Sequence, residues 1–135
     1  MAPEGRSNAV GTAAYRVYWR KANDFQRLVT LAMESENFNG AGLAAIHSVI
    51  SACDALTAFH LGIRSKGQGH GEVADLLQGI HLGGIEEKVS QVKEVLALKN
   101  LVEYEDREIS RRESQRLLRQ SERVMAWVKS HLPEG

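Results

Sequence analysis

The residues with the clearest chemical promise are Arg64 and His70, in the run Arg64-Ser65-Lys66-Gly67-Gln68-Gly69-His70. A guanidinium and an imidazole a few residues apart can form a metal-free ribonuclease site. The imidazole moves the proton of a ribose 2′-OH, and the guanidinium steadies the charge on the phosphorane. The intervening glycines would add backbone freedom and N–H donors. The same letters also describe a basic loop in which His70 starts the next helix. Spacing of this kind recurs by chance, so both readings stand.

A second cluster is an arginine stripe. Arg112, Arg116, Arg119 and Arg123 are spaced four, three and four, which puts them on one helix face. From Arg107 to Arg123 there are six arginines (107, 111, 112, 116, 119, 123) against three glutamates (108, 113, 122), a local net charge of +3. Such a stripe can grip phosphates. The alternative is an ordinary solvated face, because Glu113 and Glu122 dilute the field. A third pair is His47 and Asp54. Both fall on the side of a helix that carries Leu43, Ile46 and Ile50. Seven residues separate them by about 10.5 Å, so they cannot touch. Each needs a partner from another element. They are either two satisfied packing residues or the wall of a polar pocket inside the fold.

Other chemistries find no support in the sequence. It has no Walker-type phosphate loop, no Cys/His cluster and no G-x-S-x-G. His47, His60, His70, His81 and His131 never pair with a carboxylate at metal-ligand spacing. No metal and no cofactor is expected.

Long amphipathic helices must carry these residues. The 135 residues have only two prolines, Pro3 and Pro133, so the stretch between them lacks the strongest helix breaker. Residues 1–11 read as a flexible tail and 12–135 as one domain. A first helix is expected over about Thr12–Glu36, with Tyr15, Tyr18, Ala22, Phe25, Val29 and Ala32 on its apolar stripe. Asn37-Phe38-Asn39-Gly40 breaks the pattern. A second helix follows over about Gly42–Leu61, with small residues on its flanks. Residues 62–69 form a loop, and a short helix covers about His70–Leu82. A fourth runs over about Ile85–Glu105 with Ile85, Val89, Val92, Leu96 and Val102 inward. The last runs from a capping box, Ser110 with Glu113, to about His131. Short connections imply antiparallel neighbours. The expected fold is all-α, an up-and-down bundle of four or five helices.

Seventeen basic residues balance seventeen acidic ones, so no global field draws the chain to polyanions. The single cysteine, Cys53, cannot form an internal disulfide, which fits a reducing cytoplasm. The opening MAPEGRSNAVGT has no apolar signal core. No apolar run is read as approaching the roughly 20 residues of a membrane span. A cytoplasmic location without membrane contact is expected.

The run LAAIHSVISACDALTAFHLG resembles the second helix of HEPN domains, and HGEVADLL resembles the short helix after it. LALKNLVEYEDREISRRESQRLLRQSERVMAWVKSHL resembles the last two HEPN helices. The resemblance extends from about Tyr15 to Leu132. It implies a helical bundle, often dimeric. Many such proteins are ribonuclease toxins paired with small nucleotidyltransferases, or parts of antiviral systems. The family's motif is Arg, four to six residues, then His, often with Asn after the Arg. It usually lies in the penultimate helix. The matching place here holds Lys99, Asn100 and Tyr104, so only Asn100 agrees. A phenol (pKa about 10) is a poor base at neutral pH beside an imidazole (about 6.5), and Lys lacks the Arg fork. Arg64 and His70 fit the motif's letters two helices early.

The expected function is a HEPN-like module, dimeric with a second copy of itself. It would bind RNA or a nucleotide in a toxin–antitoxin or defence setting, with a small nucleotidyltransferase as a candidate partner. The rivals are a metal-independent ribonuclease toxin and a structural bundle that docks a protein.

Overall fold

The computed structural model describes residues 7–66 and 72–133. Within them the fold is an all-α helical bundle with one very short two-stranded ladder. The helices are α1 Tyr15–Glu34, α2 Phe38–Leu61, α3 Glu72–Leu77, α4 Ile85–Ala97, α5 Lys99–Tyr104 and α6 Arg111–Ser130, with a 3₁₀ turn at Thr12–Ala14 before α1.

Helix α2 is the centre. Its small residues Ala44, Ala45, Ser48, Ala52 and Ala55 are all buried, which lets α1 and α6 lie close against it on different sides. Ile46, Val49, Cys53 and Leu56 are fully buried as well. Leu43, expected inward, is instead 40% exposed. Its neighbour Gly42 faces Ile109 and Leu117, so that turn of α2 points its packed side toward α6 and leaves Leu43 at the edge. By length and composition α2 could cross a membrane, contrary to the sequence reading. Alanine and glycine raise its apolarity without a run of large side chains. Most of it is buried inside the fold. The apolar stripe of α1 packs on α2 through Tyr15, Ala22 and Val29. Leu117, Val124 and Val128 do the same from α6.

Local chemistry sets the helix ends. Asn37 caps α2: its Oδ1 accepts from Gly40 N at 2.9 Å. The helix therefore starts four residues before the sequence suggests. Gly42 lies inside it because Ile109 packs where a side chain would stand. Gly62 ends α2 in the left-handed conformation, φ 68°. The capping box of α6 is present in full: Ser110 Oγ accepts from Glu113 N at 3.0 Å, and Glu113 Oε1 accepts from Ser110 N at 2.9 Å.

Three further places differ from expectation. The single helix expected over 85–105 divides at Leu98, where a tighter turn (Leu98 N to Val95 O, 3.2 Å) separates α4 from α5. The short helix stops at Leu77, and Gln78–Ile80 continues as turns. Residues 7–9, expected as tail, form strand β1 (Ser7–Ala9). They pair antiparallel with β2 (Ile63–Ser65), expected as loop, in the register Ser7↔Ser65, Asn8↔Arg64, Ala9↔Ile63. The turn at Gly62 reverses the chain and presents the backbone of β2, and Val10 N extends the ladder to Gly62 O at 2.8 Å. Three-residue strands are too short to show a period of two in sequence.

Candidate functional site

Asp54 lies on the last third of α2, facing β2. It is 8% exposed. Its Oδ1 accepts from Ser65 N at 3.1 Å and from Ser65 Oγ at 2.9 Å. The burial and the outside partner expected of Asp54 are both present. Burial pushes its carboxyl up to about 6. The two Ser65 bonds and the Arg64 guanidinium pull the other way, and nearby Glu72 adds to the rise. Glu72, the first residue of α3, is 5% exposed and accepts from Lys66 N. Two buried carboxylates thus hold two successive amides, 65 and 66. One belongs to the helix before β2 and one to the helix after it.

This changes the standing of Arg64. The sequence puts it on a loose glycine-rich loop. In the structure it lies in β2, half-buried, and its Nη1 donates to Ser65 O at 2.8 Å. The strand is fixed to α2 by Asp54 and to α3 by Glu72. His70 lies outside the described residues. Cys53, beside Asp54 in sequence, is fully buried, and burial pushes its thiol up, so it is an inert core residue.

His47 does not join Asp54. It sits two turns earlier, on the part of α2 that meets α1 and α5. Its ring lies 5.7 Å from Phe25, and its Nε2 is 3.9 Å from Glu103 Oε1. Among the described residues each has its own partners on a different element, as their separation of seven residues of helix requires. Lys99 Nζ is 3.3 Å from the other oxygen of Glu103. The Lys99 amine is thus held by a carboxylate within its own helix. Asn100 is exposed, and Tyr104 is 75% exposed. The structure therefore brings Lys99 to Glu103 and His47, and leaves Tyr104 apart in solvent.

The arginine stripe lies on the outer face of α6. Arg112, Arg116, Arg119 and Arg123 are all exposed. Arg116 is paired with Glu94 of α4, whose second oxygen accepts from Gln120 Nε2 at 2.6 Å. Arg112, Arg119 and Arg123 form no ion pair among the described residues. Arg107 grips Glu113 through two parallel bonds of 2.9 Å, and this pairing with the cap holds the Glu113 carboxyl down at about 2.

Ser65, Glu72 and Glu103 were not singled out from sequence. Glu72 carried a signal, since it lies four residues before Leu76 and so shares the inward face of α3. Ser65 and Glu103 carried none. Among the described residues no group of three His, Cys, Asp or Glu side chains could hold a metal ion. No protein-family model, curated protein or solved structure matches the chain.

Proposed function

We propose that the chain is a HEPN-like helical module that binds RNA along the outer face of α6. The observation that carries this reading is the line of three exposed guanidiniums, Arg112, Arg119 and Arg123, without ion-pair partners among the described residues. Arg112 and Arg123 are eleven positions apart, about 16 Å of helix. The core backs the helix, so the cations are held at fixed spacing rather than on a loose tail. A row of Arg forks suits successive phosphates of a polynucleotide better than one small anion. A toxin–antitoxin or defence role, with a small nucleotidyltransferase as partner in a cytoplasmic setting, follows from the resemblance.

A ribonuclease using Arg64 and His70 is the second reading. It is favoured by the bracing of β2, since fixed placement is what catalysis needs. The Lys99–Tyr104 position is a poorer candidate, with its amine held by Glu103 and its phenol in solvent.

One experiment addresses both. Fluorescence anisotropy of a labelled single-stranded RNA is followed as salt is raised, and the RNA is then run on a gel. Binding should fall steeply with salt. The triple change Arg112→Gln, Arg119→Gln, Arg123→Gln should weaken it and reduce the log–log salt slope by about 2, near 0.7 per lost phosphate contact. No binding at low salt, or binding indifferent to the triple change, would return the stripe to a solvated face. Metal-independent cleavage that disappears in His70→Ala would establish the second reading instead.

A further inference from the structure

The arginine row on α6 does not end at Arg123. Arg112, Arg116, Arg119, Arg123 and Trp127 follow at spacings of four, three, four and four, so all five fall within about 80° of the helix circumference. Trp127 is half-buried, one turn beyond Arg123. It packs against the core, and its Nε1 donates to Gly83 O at 3.4 Å. A packing role accounts for that inner side. It does not account for the rest of the indole, which lies at the surface in line with the unpaired cations.

Three observations bear on what could cover it. No guanidinium lies over the Trp127 ring among the described residues, although Arg16 covers Tyr15 and Arg111 covers Phe38. The turn beside it is Gly83-Gly84, so neither residue puts a side chain across the indole. The His131 ring stands edge-on to it, with centroids 5.0 Å apart, and the His131 carbonyl oxygen lies 3.0 Å from Nε2 of His60 on α2. The end of α6 is thus tied to α2, and the flat surface is held in place before any ligand arrives.

We propose that Trp127 is a stacking platform for an unpaired base, and that the RNA bound along α6 is therefore single-stranded. This role rests on RNA binding by the arginine row. Every base has a π-face, and an aromatic ring beside a basic track takes it with little regard to sequence. Arg119 and Arg123 would hold the phosphates that lead to that base. The rise from Arg119 to Arg123 equals that from Arg123 to Trp127, about 6 Å each. A duplex cannot use the platform along its length, because its bases are stacked on one another inside the helix. It meets the arginines only through its backbone.

The test compares two labelled RNAs by fluorescence anisotropy at one salt concentration. One is an unstructured single strand, and the other is the same strand annealed to its complement as a blunt duplex. The wild type should bind the single strand more tightly. Trp127→Leu should weaken single-strand binding roughly 10- to 100-fold and leave duplex binding unchanged. It should also leave the salt slope unchanged, since no phosphate contact is lost, whereas the arginine changes flatten it. Trp127→Phe keeps a ring and should retain part of the affinity. Trp19→Phe leaves Trp127 as the only tryptophan. The single strand should quench its emission, and the duplex should not. Should Trp127→Leu lose its helical circular dichroism, the quenching in Trp19→Phe decides the matter without it. A wild type that binds neither RNA would remove the RNA-binding reading and the platform with it. Arginine-dependent binding that is equal for both RNAs, indifferent to a folded Trp127→Leu, or free of quenching would overturn the platform alone.

Discussion

Replacing Asp54 by Asn should remove a pH dependence of stability that the wild type carries between about pH 4 and 7. The folded carboxyl titrates near 6 and the ordinary value is 3.8. The folded state therefore holds its proton more tightly than the unfolded chain does. Stability from this group is fully present below pH 3.8 and is withdrawn as pH rises through 6. The difference corresponds to about 3 kcal/mol, at about 1.4 kcal/mol per pH unit. Asparagine keeps an oxygen to accept from Ser65 and carries no charge to desolvate. Asp54→Asn should be flat across this window and more stable than wild type at pH 7.5, by up to about 3 kcal/mol. Asp54→Ala should be equally flat with pH but, because it strands the Ser65 amide and hydroxyl, about 1–3 kcal/mol less stable than Asp54→Asn at every pH. Glu113 does not confuse the measurement. Its carboxyl is held down at about 2, so its contribution is present above 4.5 and lost only as pH falls below that. The assay is urea unfolding followed by circular dichroism from pH 4.5 to 7.5. Parallel curves for wild type and Asp54→Asn, or an Asn variant weaker at pH 7.5, would refute the reasoning.

Two further outcomes concern helix ends. Ser110→Ala removes the cap oxygen of Glu113 N and should cost about 1 kcal/mol in the same unfolding assay. Gly62→Ala places a side chain at φ 68° and should cost about 1–2 kcal/mol, with added proteolysis near β2 as the local readout.

The helical fold was legible because its signals are local. The stripe Tyr15, Ala22, Val29 and the capping box at Ser110 each lie within a few turns of one helix. The site was legible only in part. Asp54 stood on an apolar face and so demanded an outside partner, but nothing in the letters points to Ser65, eleven residues away. The ladder of β1 with β2 joins segments more than fifty residues apart and needs only backbone groups, which sequence does not display. The early start of α2 was hidden because Asn37, Gly40 and Gly42 look like a break. One of them is a cap, and Gly42 makes room for Ile109. The arginine stripe was visible, but the pairing of Arg116 with Glu94 was not, since it joins two helices.

The central place of α2 has a consequence for how the chain is made. Its apolar faces are covered from one side by α1, already synthesised, and from the other by α6, which ends about 70 residues later. At about 5–20 residues per second, translation leaves α2 uncovered on that side for several seconds. During that interval a helix apolar enough to enter a bilayer stands half-dressed beside the ribosome. Burial of that side of α2 therefore waits for segment 111–130. Ribosome stalling or a stop codon before residue 111 would release a product whose fate is aggregation or capture by a holdase, not a shorter bundle.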